Sequence, residues 1–416
     1  MPASKFPKRF LWGAATAAHQ VEGGNHNQWT VWELENAKSL AAQAQYQYGD
    51  LTNWDEIKSL AKQPENYVSG KAVDHFRLYE QDIALAKKLN LNALRFSVEW
   101  SRIEPKQGSW DVGAITHYKH YVSELRKSGI EPILTLFHFT LPVWFAELGG
   151  FEKRSNVKLF VRFAEKIVAE LGADITYVIT LNEPEVYAYE SYHLGHWPPA
   201  RMSKRTTYRV MNNLAYAHNQ TARLLHGMSR RYKVSIAKNS TFFYAGDDAV
   251  LSVRTADILQ YAQDDYFLKK VVKTCDFLGV NFYFSNRVYG YRIHNPGERL
   301  SDMGWDMSPG DLEHALERLH AKYHLPIIVT ENGCADASDE KRQWWMTHTI
   351  LALQRALAEG VDVRGYLHWS LLDNFEWDKG RWPRFGLIAV DYRTMERTVR
   401  PSGRRYGTFI KKAKGA

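Results

Sequence analysis

Eight short apolar runs recur along the 416 residues, and stretches with apolar residues at helical spacing lie between them. The runs are "RFLWGAATAA" (9–18), "NALRFSVEW" (92–100), "PILTLFHF" (132–139), "TYVITLN" (176–182), "KVSIAKNS" (233–240), "DFLGVNFYF" (276–284), "IIVTE" (327–331) and "VRGYLHWSL" (363–371). They are near-continuously apolar rather than alternating, which is the pattern of strands buried on both faces. The intervening stretches, such as "HFRLYEQDIALAKKLN" (75–90) and "NVKLFVRFAEKIVAELG" (156–172), carry an apolar stripe and, in the second, a glycine stop. Strand and helix in strict alternation imply a parallel sheet covered by helices. Eight such units at this length predict an α/β fold, a (β/α)8 or TIM barrel, in a single domain over residues 1–416. An open doubly wound sheet is the competing topology. It is disfavoured because no GxGxxG follows any strand and no phosphate-cradling Gly-Lys-Ser/Thr loop occurs. Residues about 21–72, Gln/Asn/Lys-rich and off pattern in their later part, are expected to form a long βα loop after the first strand.

In such a barrel the reacting groups sit at the C-terminal ends of the strands. Two apolar runs end in glutamate there. The fourth stops at Asn182-Glu183, with Pro184 breaking the strand, and the seventh at Glu331, with Asn332-Gly333 as a turn signal. A carboxylate at that end faces the barrel mouth instead of the core, so both would open onto one site. Gln20, Arg95, His138, Asn281, Tyr283 and Trp369 gather at the remaining ends. Paired carboxylates bind metals or act as acid, base and nucleophile. A metal needs further ligands at suitable spacing, and no HExxH or CxxC occurs; His320 and His324 fall on an outer helix. Hydrolysis of a glycoside fits the pair better, with Arg95 and Tyr283 as groups able to keep one carboxylate ionised.

The motifs resemble those of glycoside hydrolase family 1, the retaining β-glucosidases and their relatives. "TLNEP" and "VTENG" carry the likeness. "FLWGAATAAHQVEGG", "LRFSVEWSRIEP", "TLFHFTLP", "DFLGVNFYF", "DMGWDMSPGDL", "GYLHWSLLDNFEW" and "RFGLIAVDY" extend it in family order over nearly the whole chain. The resemblance implies an exo-acting β-glycosidase, foremost a β-glucosidase, that needs no cofactor. It implies Glu183 as acid/base and Glu331 as nucleophile, a division of roles that the residues alone leave open. It further implies Asn182 at the sugar 2-hydroxyl and Gln20, His138, Glu376 and Trp377 at the outer hydroxyls. Trp369 would be the platform under the ring, Asn281 and Tyr283 would flank the nucleophile, and Trp305 would stand on the leaving-group side. Departures surround this site. His19 stands where many relatives have Tyr, "HFTLP" replaces the commoner His-Trp-Asp-Leu-Pro, and the region 241–275 is short. A 6-phospho-β-glucosidase and a catalytically dead sugar-binding barrel are the alternatives; retention of Glu376, which would repel a phosphate, favours a neutral sugar.

Composition excludes other classes. The net charge is +8, but Lys and Arg are scattered, with only "RMSKRTTYR" (201–209) and "KKAKGA" (411–416) as modest clusters, so no nucleic-acid partner is expected. The two cysteines, Cys275 and Cys334, make no disulfide framework and fit a reduced, cytoplasmic setting. The segment "KFPKRFLWGAATAAHQ" imitates a secretory leader, yet its apolar run is short, contains Trp12 and Gly13, and doubles as the first strand. No run approaches the ~18 apolar residues of a membrane span, so no membrane partner is expected.

Overall fold

The computed structural model describes residues 6–415; residues 1–5 and 416, at the two ends of the expected domain, lie outside the described residues. All eight expected runs are strands: β1 (Leu11–Ala15), β2 (Ala93–Ser97), β3 (Glu131–Phe137), β4 (Tyr177–Asn182), β5 (Lys233–Asn239), β6 (Leu278–Asn281), β7 (Ile327–Asn332) and β8 (Val363–Trp369). They close into a barrel in sequence order, every neighbour parallel, with β8 returning to β1. Each is followed by an outer helix, as parallel connections require. The barrel interior is filled by Ala93, Ile133, Ile179, Ala237, Phe277, Ile328 and Leu367, while the outward faces join one large apolar core shared with the helices. That core runs without a break from Phe10 to Ile410.

The outer helices form for the reason the stripe suggests. In Val157–Leu171 the residues Phe160, Phe163, Ala164, Ile167, Val168 and Leu171 recur at three- and four-residue spacing and all are buried. Phe163 stacks on Trp100 from the short helix Trp100–Ile103 after β2, ring centroids 4.8 Å apart. The helix stops at Gly172, whose φ of +59° a side chain would resist. Gly13 shows why small residues occur within the strands: a Cβ there would lie 2.3 Å from the carbonyl oxygen of Ala93 on the next strand.

The connection after β1 corrects the sequence expectation. It is not a loop but largely helical, with Gln28–Tyr48 spanning 21 residues and Trp54–Ala61 following. Asn27 and Thr30 form a reciprocal cap at its start. Its buried stripe is Ala37, Ala41, Ala44 and Tyr48. Alanine is the best helix former but a weak apolar signal, so the segment reads as polar although it packs. Beyond the barrel, Phe242–Ala245, Ser285–Tyr289 and Arg292–Ile293 form a small three-stranded sheet. Among the described residues no helix is long and apolar enough to cross a membrane.

Candidate active site

A cavity of about 510 Å³ opens at the C-terminal ends of the strands. Gln20, His138, Asn182, Glu183, Tyr283, Trp305, Glu331, Trp369, Glu376 and Trp377 line it. Arg95 and Asn281 stand directly behind, bonded to the glutamates. All twelve residues singled out in the sequence therefore meet at one place.

Local strand geometry delivers the two carboxylates. Register irregularities fall between Ile179 and Asn182 on β4 and between Val329 and Glu331 on β7, and such breaks re-aim a side chain. Glu183 takes a left-handed backbone conformation, φ +39°, held because its N–H donates to Ala237 O at 2.8 Å and Pro184 starts a helix immediately afterwards. Gly333, the turn residue after β7, is obligatory: a Cβ would lie 1.9 Å from the Trp369 carbonyl oxygen.

The two glutamates have different surroundings. Glu331 accepts from the Arg95 guanidinium on Oε1 and from the Tyr283 hydroxyl on Oε2, the latter at 2.7 Å. Glu183 accepts only from Asn281 Nδ2, at 2.9 Å on Oε1, among the described residues. Burial pushes Glu183 well above the usual carboxylate range, and the charge of Glu331 pushes it further. Burial also raises Glu331, but Arg95 and the Tyr283 hydroxyl pull it back. Glu183 is accordingly the more firmly protonated of the two and Glu331 the more readily ionised.

Amide orientations follow from the same network. Arg95 donates to Asn182 Oδ1 at 2.6 Å, so Asn182 presents Nδ2 to His138 Nε2 at 3.0 Å. His138 is then a neutral imidazole with its proton on Nδ1, an atom without a partner among the described residues. Burial, and secondarily Arg95, hold its pKa well below the ordinary histidine value, which agrees. Thr330 Oγ1 donates to Asn281 Oδ1 at 2.6 Å, which turns the Asn281 amide nitrogen to Glu183. At the far wall Gln20 Nε2 donates to Phe375 O and Glu376 Oε2, leaving its own oxygen unused. Burial pushes Glu376 up to about 7, against a counteracting bond from Asn374. Trp369 and Trp377 lie nearly parallel to His138, centroids 6.0 and 6.2 Å away.

Several contributors escaped the sequence reading. Tyr48 and Leu51 come from the helical segment after β1 and line the cavity with Trp382 and Met303. Asn374 was visible within "DNFEW" as a polar neighbour of Glu376; Tyr48 carried no signal. His19, a departure from the family pattern, bonds Glu33 Oε1 at 2.7 Å and Asn27, so it ties that segment to the site and stacks on Trp377. No group of three or more His, Cys, Asp or Glu suited to a metal occurs among the described residues. Cys334 is buried, and burial raises its thiol far from the reactive range.

Known proteins similar to this chain include glycosidases. The signature of glycosyl hydrolase family 1 matches residues 3–277 and 253–415. Beta-glucosidase A of Acetivibrio thermocellus is 29% identical over 98% of each chain. The solved beta-glycosidase from Pyrococcus horikoshii superposes with a TM-score of 0.87 at 34% identity, covering 99% of this chain and 96% of that one. A beta-glucosidase from Thermotoga maritima, solved in complex with glucoimidazole, gives 0.86 at 25% identity, covering 98% of this chain and 99% of that one.

Proposed function

The chain belongs to glycosyl hydrolase family 1, and from that premise we propose that it is a retaining, exo-acting β-glycosidase, foremost a β-glucosidase with β-galactosidase or β-fucosidase activity beside it. It would act on terminal β-D-glycosyl residues of di- and oligosaccharides and of aryl or alkyl glycosides. The working unit is the one (β/α)8 domain, without a metal or organic cofactor. The observation that carries the reading is the unequal treatment of two buried glutamates in one cavity: Glu331 held by Arg95 and Tyr283, Glu183 met by a single amide.

The mechanism follows from that inequality. Glu331 attacks the anomeric carbon while Glu183 gives its proton to the leaving oxygen, and a glycosyl-enzyme forms. With the leaving group gone, Glu183 takes a proton from water, which attacks the same carbon and frees Glu331. Asn182 faces the 2-hydroxyl, where a bond strengthens as charge develops. Gln20, His138, Glu376 and Trp377 take the outer hydroxyls with the donors and acceptors left unused. Trp369 supplies the platform, and Trp305 borders the leaving group. A neutral sugar is supported by the fate of the two nearby cations. Lys379 pairs with Asp378, and Arg381 donates to the carbonyls of Val68 and Ser69, so both cations are engaged within the protein.

Hydrolysis of a panel of p-nitrophenyl β-glycosides, with the 6-phospho-β-glucoside included, tests this reading. Release from one or two neutral glycosides is expected, first appearing as the β-anomer. Glu331→Gln should reduce turnover by about 10⁴-fold or more, and Glu183→Ala should spare activated aryl glycosides more than alkyl ones. Normal turnover in folded Glu331→Gln, or release of the α-anomer first, would sink it.

A further inference from the structure

The helical segment after β1 supplies one side of the cavity, and the mechanism above makes no use of it. Tyr48 and Leu51 from this segment line the cavity beside Phe284 and Met303, from the connection after β6, and Trp382, from the connection after β8. Tyr48, Ile57 and Trp382 belong to one apolar cluster, against which Leu51 and Met303 pack. Met303 belongs equally to a second cluster, built on Trp369 and Phe385, which Tyr283 and Trp305 join. Tyr283 and Trp305 meet edge to face, centroids 5.6 Å apart, and Phe284 lies against Trp305 at 5.5 Å. A continuous apolar band therefore runs outward from Tyr283, the hydroxyl partner of Glu331, past Trp305 and Met303 to Leu51.

The band is preformed and open. The turn that carries Met303 is pressed onto Leu51: a Cβ on Gly304 would lie 2.8 Å from Leu51 Cδ2. Yet Leu51, Phe284, Met303 and Trp305 are only partly buried, so apolar surface is left uncovered along a concave wall. An apolar group that covers such surface recovers the free energy of taking it out of water. The Tyr48 hydroxyl and the Trp382 indole N–H are buried atoms, so both residues turn ring carbon to the cavity. The polar residues on the opposite side are engaged within the protein. Glu190 bonds His196 at 2.9 Å, Asp378 accepts from the Trp197 N–H at 2.9 Å and pairs with Lys379, and Asn239 Oδ1 accepts from Gln263 at 3.3 Å.

We propose that this band binds the leaving group and selects an apolar chain, as in an alkyl β-glycoside, over a second sugar. The proposal rests on the reading of the cavity as a β-glycosidase site and names the substrate class on its leaving-group side. Gln20, Glu376 and Trp377 hold the terminal sugar, so the leaving group passes out over Trp305. Each further methylene then covers more of Met303 and Leu51. A second sugar on the same path would turn hydroxyls toward apolar side chains, and a hydroxyl that loses water without a new bond costs binding. Leu51 and Met303 are thus the specificity-determining residues, one from each side of the junction between the two clusters.

The test is kcat/KM for methyl, butyl, hexyl and octyl β-glucosides, each below its micellar concentration, with cellobiose and p-nitrophenyl β-glucoside alongside. Across the alkyl series kcat/KM should rise about two- to four-fold per methylene that the band covers, and octyl β-glucoside should exceed cellobiose by about ten-fold or more. Leu51→Ser should lower the octyl-to-methyl ratio by about five- to ten-fold. Met303→Gln, which keeps the length of the side chain, should lower that ratio too. A flat alkyl series would overturn the proposal, as would cellobiose cleaved as well as octyl β-glucoside. An octyl-to-methyl ratio unchanged in both variants would also overturn it, since the chain would then lie elsewhere. If neither variant folds, the alkyl series and cellobiose with the wild-type protein decide alone. Silence with p-nitrophenyl β-glucoside is a different failure: the β-glycosidase reading would fall, and this inference with it.

Discussion

The cavity has two kinds of wall. Its floor, the cradle around Glu183 and Glu331, is made from strand ends and is closed by polar bonds: Arg95 reaches Thr135, Asn182 and Glu331, and Asn281 joins Asn182, Glu183 and Thr330. Its rim, where Tyr48, Leu51, Met303 and Trp382 meet, comes from the helical segment after β1 and from the connections after β6 and β8, and is held by apolar contact. Tyr48 and Trp382 pack edge to face, centroids 5.3 Å apart, while the Tyr48 hydroxyl and the Trp382 indole N–H have no partner among the described residues. In the cradle nearly every polar atom is assigned by its neighbours, so chemistry there depends on each of them. In the rim shape matters more than bonding, so individual polar atoms should be dispensable.

The largest effect that would break this contrast lies at Arg95. It is 1% exposed and pairs with Glu331 inside the barrel. Arg95→Met leaves that carboxylate buried without its cation, which should cost about 3–5 kcal/mol of stability and about 10²–10³-fold in turnover. The sign in pH is definite. Loss of the cation raises the proton affinity of Glu331, so the acidic limb of kcat/KM should move to higher pH. Chemical denaturation and a pH–rate profile check both; a variant with wild-type stability and an unmoved acidic limb would mean that the cradle is not coupled as described.

Next in size is Glu376, at the boundary between floor and rim. Its folded-state pKa is pushed to about 7 from an ordinary value of 4.5. The folded protein therefore holds a proton that the unfolded chain releases, and stability from this group is greatest at low pH. It is lost as pH rises from about 4.5 through about 7. Relative to Glu376→Gln, the wild-type protein should lose up to about 3 kcal/mol across that window. Denaturation midpoints of the two proteins at a series of pH values give the answer, and parallel curves would show that Glu376 is already ionised in the folded state.

What could be read in advance divides along the same line as the two walls. The cradle was legible because it is built largely from strand ends: an apolar run that stops at Glu183 or Glu331 announces both the strand and a carboxylate at the barrel mouth. Asn281 and Trp369 were legible as polar or aromatic residues placed where such strands finish, whereas Arg95, expected at a strand end, lies mid-strand in β2 and reaches Glu331 from inside the barrel. The rim was not. Ala37, Ala41 and Ala44 bury a helix face without an apolar signature, so the segment carrying Tyr48 read as loop. The register breaks near Asn182 and Glu331 were equally hidden, since they depend on neighbouring strands that lie far away in sequence. His19 stood out as a departure from the family pattern beside the site, yet its ring nitrogens are spent on Glu33 and Asn27.

The smallest effect is the sharpest test of the contrast. A buried hydroxyl with no partner contributes no bond and carries a desolvation cost, so removing it should not destabilise the fold. Tyr48→Phe keeps the ring against Trp382 and deletes only that oxygen. It should unfold at the wild-type denaturant concentration or slightly above it, with a gain of at most about 1 kcal/mol. Hydrolysis of a small aryl glycoside should be unchanged, because no atom of the cradle bonds to Tyr48. The same deletion at Tyr283, whose hydroxyl is engaged by Glu331, should slow turnover while leaving Tyr48→Phe as its unaffected counterpart. Equal losses in Tyr48→Phe and Tyr283→Phe would erase the distinction, for they would mean that the rim hydroxyl is bonded to something the reaction needs.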